Sequence, residues 1–508
     1  MAAPLDALTS WHADWKGLRV AVLGLGMTGF SVADTLAELG CEVLVVAGAP
    51  DADREQILQV LGVPVVIAED ADAVPDRLRG FGADLVIASP GYPPHHALLR
   101  WAAAEGVPVW GDIELAWRLR DKVGAPSEWV LVTGTNGKTT TTQLAAHMIA
   151  AGGARVAPAG NIGIPVLDAV RDPEGFDVLV VEISSYQLHH IRTVSPWAAV
   201  VLNVARDHID WHGSYEAYRE AKGRAYERTR VACVYNLADE TTRRLVEEAD
   251  VAEGARAIGF GVDVPAVSDF GVVDGILVDR AFLAERRSNA LELATLDDLR
   301  ERGLGARHLV EDVLAAAALA RSLDVPPAAI REAIRSFSPD AHRNERVLES
   351  EEILWIDDSK ATNAHAADAS LRAYRSVVWV LGGLLKGVDI SPLIAEHAGR
   401  LRAAILIGAD RRPLLEAFAQ HAPGVPVIEV DVSDTDAVMP RAAAEARRLA
   451  QAGDTVLLAP AAASMDQFAS YSDRGDRFQR AVLESTGKGV DDDADHSETT
   501  GDGSGHGA

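Results

Sequence analysis

Residues 133–140 read Thr-Gly-Thr-Asn-Gly-Lys-Thr-Thr, with an apolar run at 129–132 before them and a helical pattern after them. In such a strand-to-helix turn the backbone N–H groups of Gly134, Thr135, Asn136 and Gly137 can cradle phosphate oxygens. Lys138 can then reach the terminal phosphates of a nucleoside triphosphate, and the Thr139 hydroxyl, with Thr140 beside it, can ligate Mg2+. The strict phosphate loop has a Gly five positions before Gly137, where this chain has Val132. A plain glycine turn gives no reason for Lys-Thr-Thr at a helix start.

Glu182 follows the apolar run 178–181, and beside a phosphate loop such an acid is a hard oxygen ligand. By its residue type alone His208 reads as a helix-cap or core histidine, and Lys222 as an exposed lysine on a helix. A second glycine turn, Gly24-Leu25-Gly26-Met27-Thr28-Gly29, also follows a strand and opens a helix. A dinucleotide site would want an acid at the end of the second strand. Here Val46 is followed by Ala47-Gly48-Ala49, and the nearest acid is Asp51, so a structural turn explains the motif equally well. His95-His96 and His189-His190 have no such context and read as surface or packing residues.

The elements that must position these groups are short apolar runs separated by helical stretches. Runs at 19–23, 42–46 and 84–88 predict buried parallel strands of a doubly wound α/β domain. A second round uses 129–133, 177–183 and 198–203, with a hairpin at 272–278 turning on Asp274-Gly275. A third uses 352–356, 377–381, 404–407 and 455–458. A length of 508 residues accommodates three such domains. The end, 490–508, is acidic, without apolar periodicity, and is expected to be disordered.

Apolar residues make up 48% and charged ones 24%, an ordinary globular composition. The net charge of −27 argues against nucleic acid or an anionic membrane surface as partner, because both carry the same sign. Cys41 and Cys233, the only cysteines, form no CxxC pair, which excludes an internal disulfide framework and a thiolate zinc site. The first ten residues have neither a basic residue nor an apolar core, and no apolar stretch reaches the roughly 18 residues of a membrane span. A soluble cytoplasmic protein is expected.

The loop resembles that of the Mur ligase family, the ATP-dependent amide ligases of peptidoglycan precursor synthesis. Further blocks follow in that family's order: Ser89-Pro90-Gly91, Gly111 to Leu115, Ala159-Gly160-Asn161-Ile162-Gly163, Glu182 to Leu188, Asp207-His208 and Lys222. Beyond them come His342-Arg343, Asp357 to Asn363, Gly382 to Gly387, and Ala459 to Phe468 with Arg474-Gly475. The resemblance implies an α/β protein of three domains: Rossmann-like and UDP-sugar-binding (1–112), central P-loop-type and ATP-binding (113–340), and Rossmann-like and D-glutamate-binding (341–486), before a disordered acidic tail (487–508). Within the family the Asp-Ser-Lys-Ala-Thr-Asn and Ser-Met-Asp-Gln-Phe blocks point to the member that joins D-glutamate to UDP-N-acetylmuramoyl-L-alanine through an acyl phosphate.

Carried over residue by residue, the resemblance makes Lys138, His208 and Lys222 catalytic. It makes Gly134 to Thr140, Arg343, Asp358 and Lys360 ATP contacts. Thr28, Ser89, Gly91, Asn161, Thr362, Lys386, Ser464 and Phe468 become substrate contacts. Two Mg2+ ions are implied, on Thr139, Glu182, His208 and a carbamylated Lys222. One departure is His308-Leu309-Val310-Glu311-Asp312, where the family has His-Asn-x-x-Asn facing ATP; the other is the missing acid after Val46. The alternatives are a folylpolyglutamate synthase-like ligase, which also has a variant loop, and an NAD-dependent oxidoreductase, which would leave Lys138 to Thr140 unexplained.

Overall fold

Val-, Leu- and Ile-rich runs buried on both faces form parallel strands, because the helices that connect them cover both sides of the sheet. The computed structural model describes residues 5–68, 70, 73–338, 340–385, 387–430 and 434–485. The tail expected at 487–508 therefore lies outside the described residues, as does Lys386. The chain divides into two units, Met1–Pro339 and Asp340–Ala508.

The first unit contains two sheets. One has five parallel strands in the order Val65–Ile67, Glu42–Ala47, Arg19–Leu23, Leu85–Ala88 and Val109–Gly111. Strand order reverses between Arg19–Leu23 and Leu85–Ala88, and the crevice beyond such a switch point is where open α/β sheets bind ligands. The other has nine strands, in the order Leu291–Thr295, Ile276–Asp279, Asp269–Val273, Arg256–Phe260, Ala232–Asn236, Ala198–Val201, Glu128–Thr133, Val178–Glu182 and Val156–Gly160. The expected hairpin is present, and Asp274 and Gly275 both have positive φ (50° and 79°), as a two-residue turn of matching twist requires. The strand expected over 198–203 ends at Val201, because Asn203 leaves the ladder to brace the phosphate loop.

A buried hub joins the two sheets. Glu114, on helix Asp112–Leu119, is fully buried, and its carboxylate accepts from Arg118 Nε (2.8 Å), the backbone N–H groups of Arg192 (2.8 Å) and Thr193 (2.9 Å), and the Thr193 hydroxyl (2.7 Å). Four charge-assisted bonds offset the cost of burying the carboxylate.

The second unit has one sheet in the order Glu345–Ser350, Ile353–Asp357, Thr455–Leu458, Val377–Gly382, Leu401–Ile407 and Val427–Glu429, parallel except for its first pair. The motif residues after Asp357, Leu458 and Gly382 thus emerge side by side at the carboxyl ends of three neighbouring strands.

Candidate active site

The phosphate loop leaves strand Glu128–Thr133 and enters helix Lys138–Ala151. Asn203 locks its shape from the next strand: Asn203 Oδ1 accepts from the Asn136 N–H (2.9 Å), and Asn203 Nδ2 donates to the Asn136 carbonyl (3.2 Å). Thr135 Oγ1 lies 2.8 Å from the Tyr218 hydroxyl and accepts from the Ala205 N–H (2.9 Å). Gly137 is left-handed (φ 82°), and a Cβ there would stand 2.3 Å from Asp312 Oδ1, so only glycine fits. Thr139 and Thr140 are buried in the first helical turn.

Two lysines meet at one carbonyl of this loop. Lys138 Nζ donates to the carbonyls of Gly134 (3.1 Å) and Thr135 (2.8 Å), and Lys222 Nζ donates to Gly134 (2.8 Å) and Thr133 Oγ1 (3.4 Å). The expectation of an exposed Lys222 is overturned: the residue is 2% exposed. Helix Tyr215–Gly223 buries Tyr218, Ala221 and Lys222 on one face, a signal present in the sequence as the i, i+3, i+4 spacing. Burial, and then the neighbouring Lys138, push the Lys222 amine well below its ordinary value, while Asp207 and Glu182 oppose the shift. A neutral amine is thereby favoured at this position.

Glu182 is 1% exposed. Its Oε1 accepts from Asn161 Nδ2 (2.8 Å), whereas Oε2 is buried without a hydrogen-bond partner among the described residues. An orphaned carboxylate oxygen beside the phosphate loop fits a hard divalent cation. His208 stands at the N-cap of helix Ile209–His212 in a left-handed conformation (φ 54°), and its side chain does not cap the helix. Its Nδ1 lies 2.6 Å from the Tyr186 hydroxyl.

At the first sheet, Gly24 and Ser89 meet across the switch point; a Cβ on Gly24 would be 2.7 Å from Ser89 Oγ. Thr28 lies in the first turn of helix Met27–Glu38, and Gly91 is exposed just beyond Ser89. Asp51 does not stand in for the missing strand-end acid: it caps helix Ala52–Val60 and pairs with Arg54 (2.5 Å), whose guanidinium also donates to the Leu25 carbonyl in the glycine turn (3.3 Å).

In the second unit Asp358 is buried, accepts from the Asn344 N–H (3.1 Å) and from Ser370 Oγ, and is raised to about 6 by that burial. Arg343 Nε is buried without a hydrogen-bond partner among the described residues. His342 Nδ1 lies 2.7 Å from Asp357. Lys360 Nζ sits 3.9 Å above the Tyr471 ring, and the buried Arg474 donates to Ser359 Oγ (2.9 Å) and to the Ser359 (2.8 Å) and Ala462 (3.2 Å) carbonyls. Arg474 thus ties the Asp357–Asn363 block to the Ala459–Phe468 block, bringing half-buried Thr362 and buried Ser464 into one neighbourhood. Phe468, expected at the substrate, is 5% exposed and belongs to the apolar cluster that includes Trp355 and Phe478.

The chain matches the Mur ligase middle domain over residues 132–320 and the Mur ligase glutamate ligase domain over 342–462. It is 61% identical over 499 residues to the UDP-N-acetylmuramoylalanine–D-glutamate ligase of Leifsonia xyli subsp. xyli, covering 96% of both chains. With the enzyme of that name from Streptomyces avermitilis it shares 53% over 472 residues, 92% of this chain and 98% of that one. The chain belongs to the Mur ligase family. A pseudomurein peptide ligase type C from Methanothermus fervidus shares the fold, with a TM-score of 0.55 and 17% identity over 92% of this chain and 100% of that one.

Against the family's His-Asn-x-x-Asn block, this Mur ligase buries Leu309 in its apolar core and sets Asp312 against Gly137. Residue 309 therefore offers no polar group, and residue 312 acts on the loop. Asn203 and Tyr186 fall within the motif blocks 203–210 and 182–188 but, like Arg54, have no individual role in the sequence; each acts through a partner on another element or turn, which spacing alone does not reveal.

Proposed function

We propose that this Mur ligase joins D-glutamate to UDP-N-acetylmuramoyl-L-alanine at the expense of ATP. The observation that carries the chemistry is the braced phosphate loop with Lys138 and Lys222 on the Gly134 carbonyl; the acceptor and donor are supported by the names of relatives at 61% and 53% identity. The first domain, 1–112, would hold the UDP-sugar at the Gly24–Ser89 crevice, with Thr28, Ser89 and Gly91 in reach. The central domain, 113–340, would hold ATP, and the third, 341–486, D-glutamate.

The substrate carboxylate attacks the γ-phosphorus, and an acyl phosphate forms with release of ADP. Lys138 neutralises the phosphate charge as it moves, and the N–H groups in the first turn of helix Lys138–Ala151 hold the oxygens in line. The D-glutamate amine then attacks the acyl carbon, and the tetrahedral intermediate expels phosphate. Arg343, Asp358 and Lys360 are assigned to ATP, and Thr362, Ser464 and Lys386 to the two glutamate carboxylates, which need aligned donors and a cation.

Thr139, Glu182 and His208 would hold Mg2+, which when bound supplies charge stabilisation to the transferring phosphoryl group. Lys222 joins them as a carbamate: burial disfavours its charged form, the neutral amine is the form that adds CO2, and the product is an anion suited to a second cation. Asn161 is assigned to substrate as well as to the orientation of Glu182.

The test is phosphate release from ATP with UDP-N-acetylmuramoyl-L-alanine, comparing D- with L-glutamate. Release that depends on both substrates and on the D-isomer is expected. Release that follows a pterin acceptor or L-glutamate instead would point to the folylpolyglutamate reading, and absence of nucleotide turnover would refute ligation.

A further inference from the structure

The hydroxyl of Tyr186 lies 2.6 Å from His208 Nδ1, and the two rings meet edge-on with centroids 4.8 Å apart. Tyr186 is held on three counts. Its ring stacks on Trp211, with centroids 4.5 Å apart and planes at 23°. Its helix, Ser185–His189, is closed by a capping box between Ser184 and Gln187, and Gln187 Nε2 donates to the buried Asp112 (3.0 Å). Ser185 Oγ lies 3.0 Å from His212 Nε2, tying that helix to the one that begins at His208.

A neutral imidazole carries one proton on two nitrogens. A nitrogen that ligates a cation must offer its lone pair, so the other bears the proton and needs an acceptor. The second nitrogen of His208, Nε2, lies 3.6 Å from Asp207 Oδ2. If the phenol donated to a bare Nδ1, the proton would sit on Nε2 and ligation there would be blocked. The phenol oxygen can equally accept from Nδ1–H, because a hydroxyl has two lone pairs as well as its proton.

We propose that Tyr186 is a positioning residue whose hydroxyl oxygen accepts from Nδ1–H of His208, which fixes the tautomer in which Nε2 carries the lone pair that would ligate a divalent cation. The proposal rests on the reading of His208 as a cation ligand. In this role Tyr186 acts through the imidazole.

The test starts with metal-free, full-length protein labelled with 15N in its histidine rings. Long-range proton–nitrogen spectra report each tautomer, and the His208 signals are those lost in His208→Gln. Wild type is expected to carry the proton on Nδ1, and Tyr186→Phe, which keeps the stacked ring, to lose that preference. Binding of Mn2+ alone, followed by electron paramagnetic resonance, should weaken by about 10-fold or more in Tyr186→Phe, the usual cost of removing a group that orients a ligating histidine. A wild-type His208 protonated on Nε2, or an Mn2+ affinity unchanged by Tyr186→Phe, overturns the proposal. Loss of the ligase reading would instead appear as missing D-glutamate-dependent turnover in wild type, a separate measurement.

Discussion

The phosphate loop of the nine-stranded sheet and the motif loops of the second unit carry comparable numbers of polar residues but are built in different ways. Around the first, the protein's own hydrogen bonds brace three consecutive residues: Asn203 on Asn136, Tyr218 on Thr135, and two lysines on Gly134. Around the second, Arg474 makes a rigid floor from Ser359 and Ala462, while Leu384 and Met465 stand out at 48% and 79% exposure. Groups that act on phosphate charge must be oriented in advance, since reorienting dipoles during the reaction would cost the stabilisation they supply. An acceptor site can leave its rim open and still select, provided its carboxylate donors rest on a fixed base.

The largest effect should come from the braced region. Lys138→Ala is expected to lower ligation by about 1,000-fold, at the upper end for losing one charge-stabilising donor, with the fold intact by circular dichroism. Activity close to wild type in a folded variant would remove this loop from the chemistry.

Lys222→Ala sharpens the comparison from the same side. Turnover should fall by at least about 100-fold, and formate or acetate should restore part of it by supplying the missing anion. Loss without rescue would leave Lys222 essential and speak against a carbamate; full activity would refute both.

How much of this was legible in the sequence depended on whether the signal is local. The loop could be read because strand, glycines, lysine and hydroxyls are consecutive, and the three rounds of strands could be read from their apolar runs. The burial of Lys222 was missed because Tyr215–Gly223 is rich in charged residues, although Tyr218 and Ala221 share its face. That Phe468 closes a motif is visible in the sequence, whereas its place in the apolar cluster with Trp355 and Phe478 is a tertiary matter that no spacing reports. Tyr186 and His208 are 22 residues apart, and only the fold makes them neighbours.

The open region should respond more gently. Ser464→Ala is expected to raise KM for D-glutamate by about 10-fold, the worth of one hydrogen bond to a charged group, with KM for ATP unchanged. Equal shifts in both constants would erase the distinction between the two regions.

Smallest in its effect on turnover is Asp112→Asn, at the joint beneath helix Ser185–His189. Burial raises the Asp112 carboxyl to about 6, against an unfolded value near 3.9. The folded state therefore holds its proton longer, and stability falls as pH rises from about 4 to about 6, by on the order of 2 kcal/mol. Asp112→Asn should flatten that part of the stability profile, measured by urea denaturation across this pH range. An unaltered slope would show that the carboxyl ionises as freely in the folded chain as in the unfolded one.

Glu114 bears on how such enzymes can be recombined. Its carboxylate lies on helix Asp112–Leu119, ahead of the phosphate loop in sequence, yet three of its four donors come from Arg192 and Thr193, on the far side of that loop. A crossover between two homologous genes placed between that helix and strand Glu128–Thr133, near residue 120, would separate the acid from its partners. Shuffled chains should survive when the acid and the turn at 192–193 are inherited from one parent, or when both parents present the same donors. The seam along which this molecule can be exchanged thus lies beyond residue 193, well inside the second sheet rather than between the two.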